Sequence, residues 1–359
     1  MLTVLTNAPS PNNRVFFAAL ARLEEDFLAL YESDPAGIGR PWRLGPGPEG
    51  VIASAIREMA ILTRRSGDFI LSGGWSNPRE MMRLPACALR GRTHWWGERL
   101  RPARGARRMV RRRFLRSMES IFAIGSWAVP GYRDEAGAVP IHVFPYVTSG
   151  DPSRREIADE PTFGFAGQLI ERKGVDLILA ALAELAAEGL RPVLEVAGSG
   201  PLDTQLRRSA ERLDVRVRWL GELDQQDLAL RRRRWWAQVV PSRYDGWGAV
   251  VSEALADGVP VLASPWVGAA WDLVRDGWNG EIVPEGSWKA ALERWCDRRL
   301  VESASEAAAV VGEAFDAEHA ATWLLEVLRE DPTCERDFVA ETWRRLDAAT
   351  SRSGESPAG

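Results

Sequence analysis

Two carboxylates eight positions apart, Asp245 and Glu253, flank a glycine-rich turn in the run Pro241-Ser-Arg-Tyr-Asp-Gly-Trp-Gly-Ala-Val-Val-Ser-Glu253. The turn at Gly246 and Gly248 opens a helix that carries Glu253 on its second turn. The pair can therefore address two separated hydroxyl groups of one extended ligand, while the helix-start amides of Ala249 and Val250 cradle phosphate between them. The plainer readings are a helix-surface carboxylate for Glu253 and a cap or turn residue for Asp245. A second group, Gly167-Gln-Leu-Ile-Glu-Arg-Lys-Gly174, sets Arg172 and Lys173 at a strand-to-helix turn, from which they would project into a cleft between domains. A diphosphate leaving group needs such cations. At ~4 Å and an effective dielectric near 20, one cation–phosphate pair contributes about 4 kcal/mol, roughly three decades of rate if felt only in the transition state. Residue type alone equally allows two solvated charges. The run Gly198-Ser-Gly-Pro201 permits close backbone approach to a ligand at Gly198 and Gly200 before a helix start that favours anions, although any tight strand-to-helix turn uses glycine.

These residues need a scaffold, and the chain alternates strand and helix patterns throughout. In the first half, strands are read at Val4–Thr6, Asp68–Leu71 and Ile121–Ile124, with a turn or strand at Arg92–Trp96; helices are read at Val15–Leu23, Val51–Leu62 and Met81–Leu89. Residues 33–50 read as loop. In the second half, strands at Phe163–Ala166, Val193–Ala197, Val215–Leu220, Gln238–Pro241 and Val259–Ala263 alternate with helices at Val175–Ala187, Leu202–Leu213, Gln226–Arg234 and Ala249–Ala256. Such alternation predicts parallel sheets covered on both faces, so the fold class is α/β with two doubly wound, Rossmann-like domains in tandem. The expected boundaries are 1–147, a linker at 148–161, a second domain at 162–330 and a disordered tail at 351–359. In open parallel sheets ligands sit beyond the carboxyl ends of the strands, which is where the loops after Ala166, Ala197, Pro241 and Ala263 lie.

The 359 residues suffice for two cores, and a net charge of −4 excludes a chain-wide attraction to nucleic acid. Cys87, Cys296 and Cys334 form no CxxC pair or zinc spacing, which predicts neither disulfides nor a structural metal and fits a reducing compartment. The opening residues lack a basic leader, and no run approaches the ~20 apolar residues of a membrane span, so the expected location is the cytoplasm. Neither half opens on a G-x-G-x-x-G turn, which argues against a dinucleotide-dependent oxidoreductase. Basic residues are nearly all Arg, as GC-rich coding would give, and cluster between Arg99 and Arg116 beside Met109 and Val110. That segment is read as a solvated helix, as a peripheral contact with the anionic inner face of a membrane, at about 1 kcal/mol per charge, or as a site for a phosphorylated lipid acceptor. Arg231 to Trp236 is read as part of a scaffold helix. The sixteen Trp residues are read as core or as sugar-stacking platforms.

The stretch from Phe163 to Pro284 resembles the donor-binding domain of family 4 glycosyltransferases, which have the GT-B fold. The matching runs, in the family's order, are Gly167 to Gly174, Ala197 to Pro201, Trp219-Leu-Gly221, Pro241 to Ser264 and Asp276-Gly-Trp-Asn-Gly280. The resemblance implies transfer from a UDP- or GDP-linked nucleotide-sugar, with retention of configuration and without a metal or other cofactor. It implies an acceptor that is a glycan, a lipid-linked glycan or a small molecule. Carried over by position, Lys173 with Arg172 holds the donor diphosphate, aided by the amides of Gly248, Ala249 and Val250. Asp245 faces the donor sugar and Glu253 the ribose hydroxyls. Gln168 stands where the family commonly has Arg, and Asp245 is one methylene shorter than the usual Glu. These departures keep two alternatives open: a non-catalytic nucleotide-sugar-binding or partner protein, and a nucleotide-sugar epimerase.

The first half is less similar. The runs Ser72 to Pro78 and His94-Trp-Trp-Gly-Glu98 resemble acceptor-side loops, making His94 a catalytic candidate and Trp75, Trp95, Trp96, Glu98 and Asn7 acceptor candidates. His142 and His319 read as structural or surface residues. The helical patterns at Ala317–Leu328 and Phe338–Leu346 are expected to cross back to the first domain, as a C-terminal helix at about 335–350 does in relatives.

Overall fold

The computed structural model describes residues 1–33, 50–72, 78–330 and 334–353. It divides into two compact units, Met1–Val147 with Ala317–Arg344, and Thr148–Asp316 with residues 345–359. The first unit runs β1 (Leu2–Thr6), α1 (Pro11–Leu23), β2 (Phe27–Tyr31), β3 (Gly50–Ile52), α2 (Ala55–Leu62), β4 (Gly67–Ser72), α3 (Pro78–Ala88) and β5 (Gly91–Gly97). It continues through α4 (Gly105–Leu115), β6 (Ser120–Ala123), α5 (Val129–Ala136) and β7 (Ile141–Val143). Its strands pair in parallel in the order β3-β2-β1-β4-β5-β6-β7. The order reverses between β1 and β4, so their carboxyl ends form a switch point where no connecting segment blocks a ligand. Leu5, Leu30, Phe69, Leu71, Trp95 and Ile121 fill the sheet side of one core against Phe114, Leu115 and Tyr132.

The second unit runs β8 (Thr162–Ala166), α6 (Val175–Ala187), β9 (Val193–Ala197), α7 (Asp203–Arg212), β10 (Val217–Gly221), α8 (Gln225–Arg232), β11 (Ala237–Val240) and α9 (Ala249–Ala256). It closes with β12 (Val261–Ala263), α10 (Gly268–Leu273), β13 (Gly280–Ile282), α11 (Trp288–Arg294) and α12 (Arg298–Ala314). Its parallel sheet has the order β10-β9-β8-β11-β12-β13, with the switch point between β8 and β11. Every residue of β8, β9 and β11 is buried, as strands covered on both faces must be, Glu195 and Gln238 included. Val175, Ile178, Leu179, Leu182 and Leu185 recur at helical spacing on α6 and pack into a core with Phe165, Val196, Val239 and Trp236.

Several boundaries differ from the sequence expectation. Val51 and Ile52 lie in edge strand β3, and the helix starts only after Ser54, whose hydroxyl caps it by accepting the Arg57 N–H. In α1, Ser10 caps by accepting the Asn13 N–H and Pro11 takes the first position, so the helix begins four residues before Val15. The second unit ends at Asp316, not at 330: α13 (Ala317–Arg329) belongs to the first unit and packs on α1. Trp323 of α13 stacks on Phe144 at 5.4 Å between ring centres. Residues 148–161 are no free linker, because Glu156 and Ala158 N–H donate to the carbonyls of Arg233 and Arg234. The final helix, α14 (Phe338–Ser353), extends into the segment expected to be disordered, and its last residues fall with the second unit. The loop at 34–49 and Trp75 lie outside the described residues. Cys87, Cys296 and Cys334 form no disulfide, and among the described residues no helix is long and apolar enough to cross a membrane.

Candidate functional site

The two loops of the second switch point are bound to each other backbone to backbone. After β8 the chain makes a single 3-10 turn, Glu171–Lys173, and then Gly174 in the left-handed region (φ 69°). A Cβ at Gly174 would lie 2.1 Å from Pro241 O, so only glycine lets this turn press against the end of β11. From the other side, Arg243 N–H donates to Arg172 O at 2.8 Å, and its guanidinium donates to Glu171 O and to both carboxylate oxygens of Asp176. Those bonds from Arg243 hold the Asp176 carboxyl below its ordinary range.

That stitching brings Lys173 and Asp245 together. Lys173 Nζ lies 2.5 Å from Asp245 Oδ2, and the two side chains keep only 14% and 15% exposure. Arg172 donates to Tyr244 O at 2.6 Å and stands 3.5 Å from Asp245 Oδ1, so two cations converge on one carboxylate. The Asp245 backbone is fixed by its N–H to Trp266 O and by Gly268 N–H to its own carbonyl. Gly248, at φ 91°, begins α9 without a side-chain cap, and a Cβ there would meet Val267 Cγ1 at 2.7 Å. Ala249 and Val250 remain partly exposed. The first amides of a helix have no intrahelical acceptor, so this terminus presents donors beside the Lys173–Asp245 pair.

Glu253, one helical turn further along α9, is held differently from the sequence expectation. One of its oxygens accepts from Arg232 Nη2 at 2.7 Å; Arg232, 4% exposed, also bonds Asp257 at 3.0 Å and Gln238 Oε1 at 3.0 Å. Gln238 in turn donates to Val250 O at 2.9 Å, which closes the network onto the first turn of α9. A cavity of about 470 Å³ opens at this network, lined by Glu253, Arg232, Gln226 and Leu230 among others. Arg232 was hidden in the sequence because the run from Arg231 to Trp236 reads as a scaffold helix. Its burial follows from α8 ending there and turning its last side chains onto α9.

Gly198 and Gly200 are glycines for a packing reason. Their Cβ atoms would strike Gly167 O at 1.9 Å and Leu169 O at 2.5 Å, so they join the loop after β9 to the loop after β8. Gln168 lies between those contacts and is exposed. Among the described residues no group of three or more His, Cys, Asp or Glu is arranged to hold a metal ion.

In the first unit the acceptor-side expectations divide. His94 is corrected: it sits inside β5, 1% exposed, bonded through Nδ1 to Ser120 Oγ at 2.8 Å and through Nε2 to Asp68 Oδ1 at 3.2 Å. Burial raises the Asp68 carboxyl, but its bonds to His94 and Arg92 outweigh that and hold it low. Trp95 and Trp96 are also within β5 rather than in a loop. Their indole N–H groups donate to Tyr132 Oη and Phe144 O, and at 2% and 4% exposure they are packed mainly into the core, although both border the cavity at the first switch point. Asn7 and Glu98 follow β1 and β5 directly, are exposed, and line a cavity of about 620 Å³ at the first switch point. In the basic segment, Arg111 is buried and pairs with Glu135, and Arg108 pairs with Asp134, so part of that charge is structural.

Residues 151–309 match the family described as glycosyl transferases group 1. The chain is 32% identical to the glycogen synthase of Thermus thermophilus over 166 residues, covering 42% of this chain and 38% of the relative. It is 36% identical to the D-inositol 3-phosphate glycosyltransferase of Segniliparus rotundus over 152 residues, covering 40% of this chain and 31% of the relative. The matched region thus spans under two fifths of the length of these curated relatives. Similarity of fold extends much further. Anabaena Alr3699/HepE, solved in complex with UDP, superposes with a TM-score of 0.70 at 15% identity over 91% of this chain and 99% of that one. WaaG, a glycosyltransferase involved in lipopolysaccharide biosynthesis, gives a TM-score of 0.65 at 14% identity over 91% and 99%. The two parallel-sheet units are thus those of the GT-B fold, and the match to the glycosyl transferases group 1 description falls within the second unit.

Proposed function

We propose that the protein is a retaining glycosyltransferase that moves a sugar from a UDP- or GDP-linked donor to a hydroxyl of a glycan, lipid-linked or small-molecule acceptor in the cytoplasm, without a metal. The observation that carries this reading is the convergence of Lys173, Arg172 and Asp245 on the start of α9 at the second switch point. In this reading the donor diphosphate takes over Lys173 and Arg172 and accepts from the amides of Gly248, Ala249 and Val250. Asp245 turns to the sugar, and Glu253, held by Arg232, accepts from the ribose hydroxyls. The acceptor oxygen bonds to the anomeric carbon as the bond from that carbon to the phosphate oxygen breaks. The hydroxyl proton passes to the departing nucleoside diphosphate, whose charge Lys173 and Arg172 stabilise. No protein base is required, which agrees with the burial of His94 in β5.

The test is a thermal-shift panel with UDP, GDP, ADP and their sugar conjugates on the wild type, Lys173→Ala and Glu253→Ala. A ligand at a hundred times its dissociation constant adds about 2.7 kcal/mol of stability. One nucleotide family should stabilise the wild type and lose most of that effect in both variants; equal shifts in all three proteins would remove the donor site from this loop pair. A donor-binding protein without transfer would release no nucleoside diphosphate from the stabilising conjugate when acceptors are added. An epimerase would change the sugar with no acceptor present.

A further inference from the structure

The cavity of the first unit is cationic at its mouth, and its chemistry differs from that of a neutral sugar pocket. Thr6, Asn7 and Ser72 place it at the carboxyl ends of β1 and β4, the switch point of the first sheet. At about 620 Å³ it has the size of a small-molecule site. Four guanidinium groups line it, those of Arg99, Arg101, Arg107 and Arg111, against the single lining carboxylate of Glu98. Arg111 is neutralised by Glu135, to which it donates from Nε at 2.6 Å and from Nη2. Arg107 and Glu98 have partners of their own, which leaves Arg99 and Arg101 as two positive charges in excess on the cavity wall.

The wall that carries these charges is built rather than loose. Arg111 Nη1 donates to Arg101 O at 2.7 Å, so the buried Arg111–Glu135 pair fixes the backbone that presents Arg101. Tyr132 Oη donates to Glu98 O at 2.8 Å and accepts from Trp95 Nε1 at 3.0 Å, which anchors the same segment to the core. Arg99 lies over the Trp127 ring, 4.8 Å from its centre. Guanidinium groups held in this way suit an oxyanion with several acceptor oxygens, since Arg meets phosphate in a forked, two-bond geometry.

We propose that this cavity is a subsite for an anionic acceptor, one that carries a phosphate group. The proposal rests on the glycosyltransferase reading and narrows its acceptor class. The phosphate can belong to a soluble sugar phosphate or to a lipid headgroup. Exposed Met109 and Val110 on α4, the helix that also supplies Arg107 and Arg111, give the second source a surface to sit on.

The experiment is isothermal titration of the full chain in the Lys173→Ala background, so that the donor loops do not contribute, with glucose 6-phosphate and with glucose. Sedimentation with phosphatidylcholine vesicles, with and without phosphatidic acid, runs in parallel. Arg101→Glu, Arg107→Glu and the milder Arg101→Gln test the cavity, and Arg113→Glu, exposed on α4 outside it, is the control. The expected result is binding of a phosphate probe but not of its neutral counterpart, weakened about tenfold or more by each reversal and not by Arg113→Glu. Glucose 6-phosphate binding marks a soluble acceptor; binding confined to phosphatidic acid vesicles and lost in Arg101→Glu marks a lipid one. Binding of glucose as tight as that of its phosphate, no binding of either phosphate probe, or indifference to Arg101 and Arg107 overturns the proposal. UDP stabilisation measured on the Arg101 and Arg107 variants with Lys173 intact separates this failure from failure of the donor reading.

Discussion

Removing the carboxylate charge at position 245 should tighten nucleotide binding while it stops transfer. In the ligand-free protein Lys173 spends its charge on Asp245 at 2.5 Å, and Arg172 adds a second contact at 3.5 Å. A donor diphosphate competes for the same cations, so the Asp245 charge opposes its binding. An unscreened pair at ~4 Å and an effective dielectric of 20 would set this competition at about 4 kcal/mol. Both side chains retain about one seventh of their exposure, and pairs that water can reach are worth on the order of 1 kcal/mol. Asp245→Asn should therefore bind UDP or GDP, whichever stabilises the wild type, about fivefold more tightly. Lys173→Ala should weaken it by at least as much. Titration calorimetry at two ionic strengths reads both constants, and the gain in Asp245→Asn should shrink as salt rises. Turnover should fall in both variants, because the first loses the group that meets the sugar and the second the group that meets the leaving diphosphate. If Asp245→Asn weakens the nucleotide as Lys173→Ala does, the pair is a fold contact that shapes the loop, and its place in the donor site is refuted.

Replacing Arg232 by Met leaves the Glu253 carboxylate without its guanidinium; the chain should lose about 3 kcal/mol in denaturant unfolding and bind the same nucleotide as weakly as Glu253→Gln does. An unchanged nucleotide affinity in Arg232→Met would show that Arg232 does not position Glu253. His94→Gln should cost about 1–3 kcal/mol of stability by breaking bonds to Ser120 and Asp68, with turnover unaltered; a selective loss of turnover at full stability would return His94 to the site. His142, 1% exposed in β7, accepts the Arg336 N–H at its Nδ1 and stacks on Phe122, and burial with nearby His94 pushes its ionisation down to about 4. The unfolded chain therefore binds more protons between that value and the ordinary 6.5, so this residue's stabilisation is complete above 6.5 and lost as pH falls through the window. The loss amounts to roughly 3 kcal/mol at 1.36 kcal/mol per pH unit. In urea unfolding, His142→Asn should show a flatter stability profile than the wild type over that range, and parallel profiles would refute the assignment.

The second unit was readable because its determinants are local. Val175–Ala187 and Ala249–Ala256 have the boundaries read from periodicity, since each begins after a glycine that only a left-handed turn explains and buries an unbroken apolar stripe. Lys173 and Asp245 lie 72 positions apart, yet each lies in the loop that leaves an adjacent strand, and the reversal of strand order brings the two loops together. What escaped was set by tertiary pairing. The fate of Arg232 depends on Glu253 and Asp257 across the next helix, and nothing in a run of four arginines distinguishes the two that will be buried, Arg232 and Arg233. A strand at Arg92–Trp96 is within the sequence expectation, but the resemblance to an acceptor-side loop points His94 at the ligand; in β5 its imidazole instead pairs with Asp68 and Ser120 on the neighbouring strands, and Arg92 also pairs with Asp68. Composition carries one further signal. The chain has two lysines among 46 basic residues, and one of them is Lys173. Where coding bias turns nearly every cation into arginine, a retained lysine marks a position at which a compact ammonium, able to swing from a carboxylate to a phosphate, differs in effect from a planar guanidinium. Lys173→Arg should then fold as the wild type does and still lose turnover, because the larger planar head group, fixed by two-bond pairing with Asp245, does not swing to the donor diphosphate as the ammonium does.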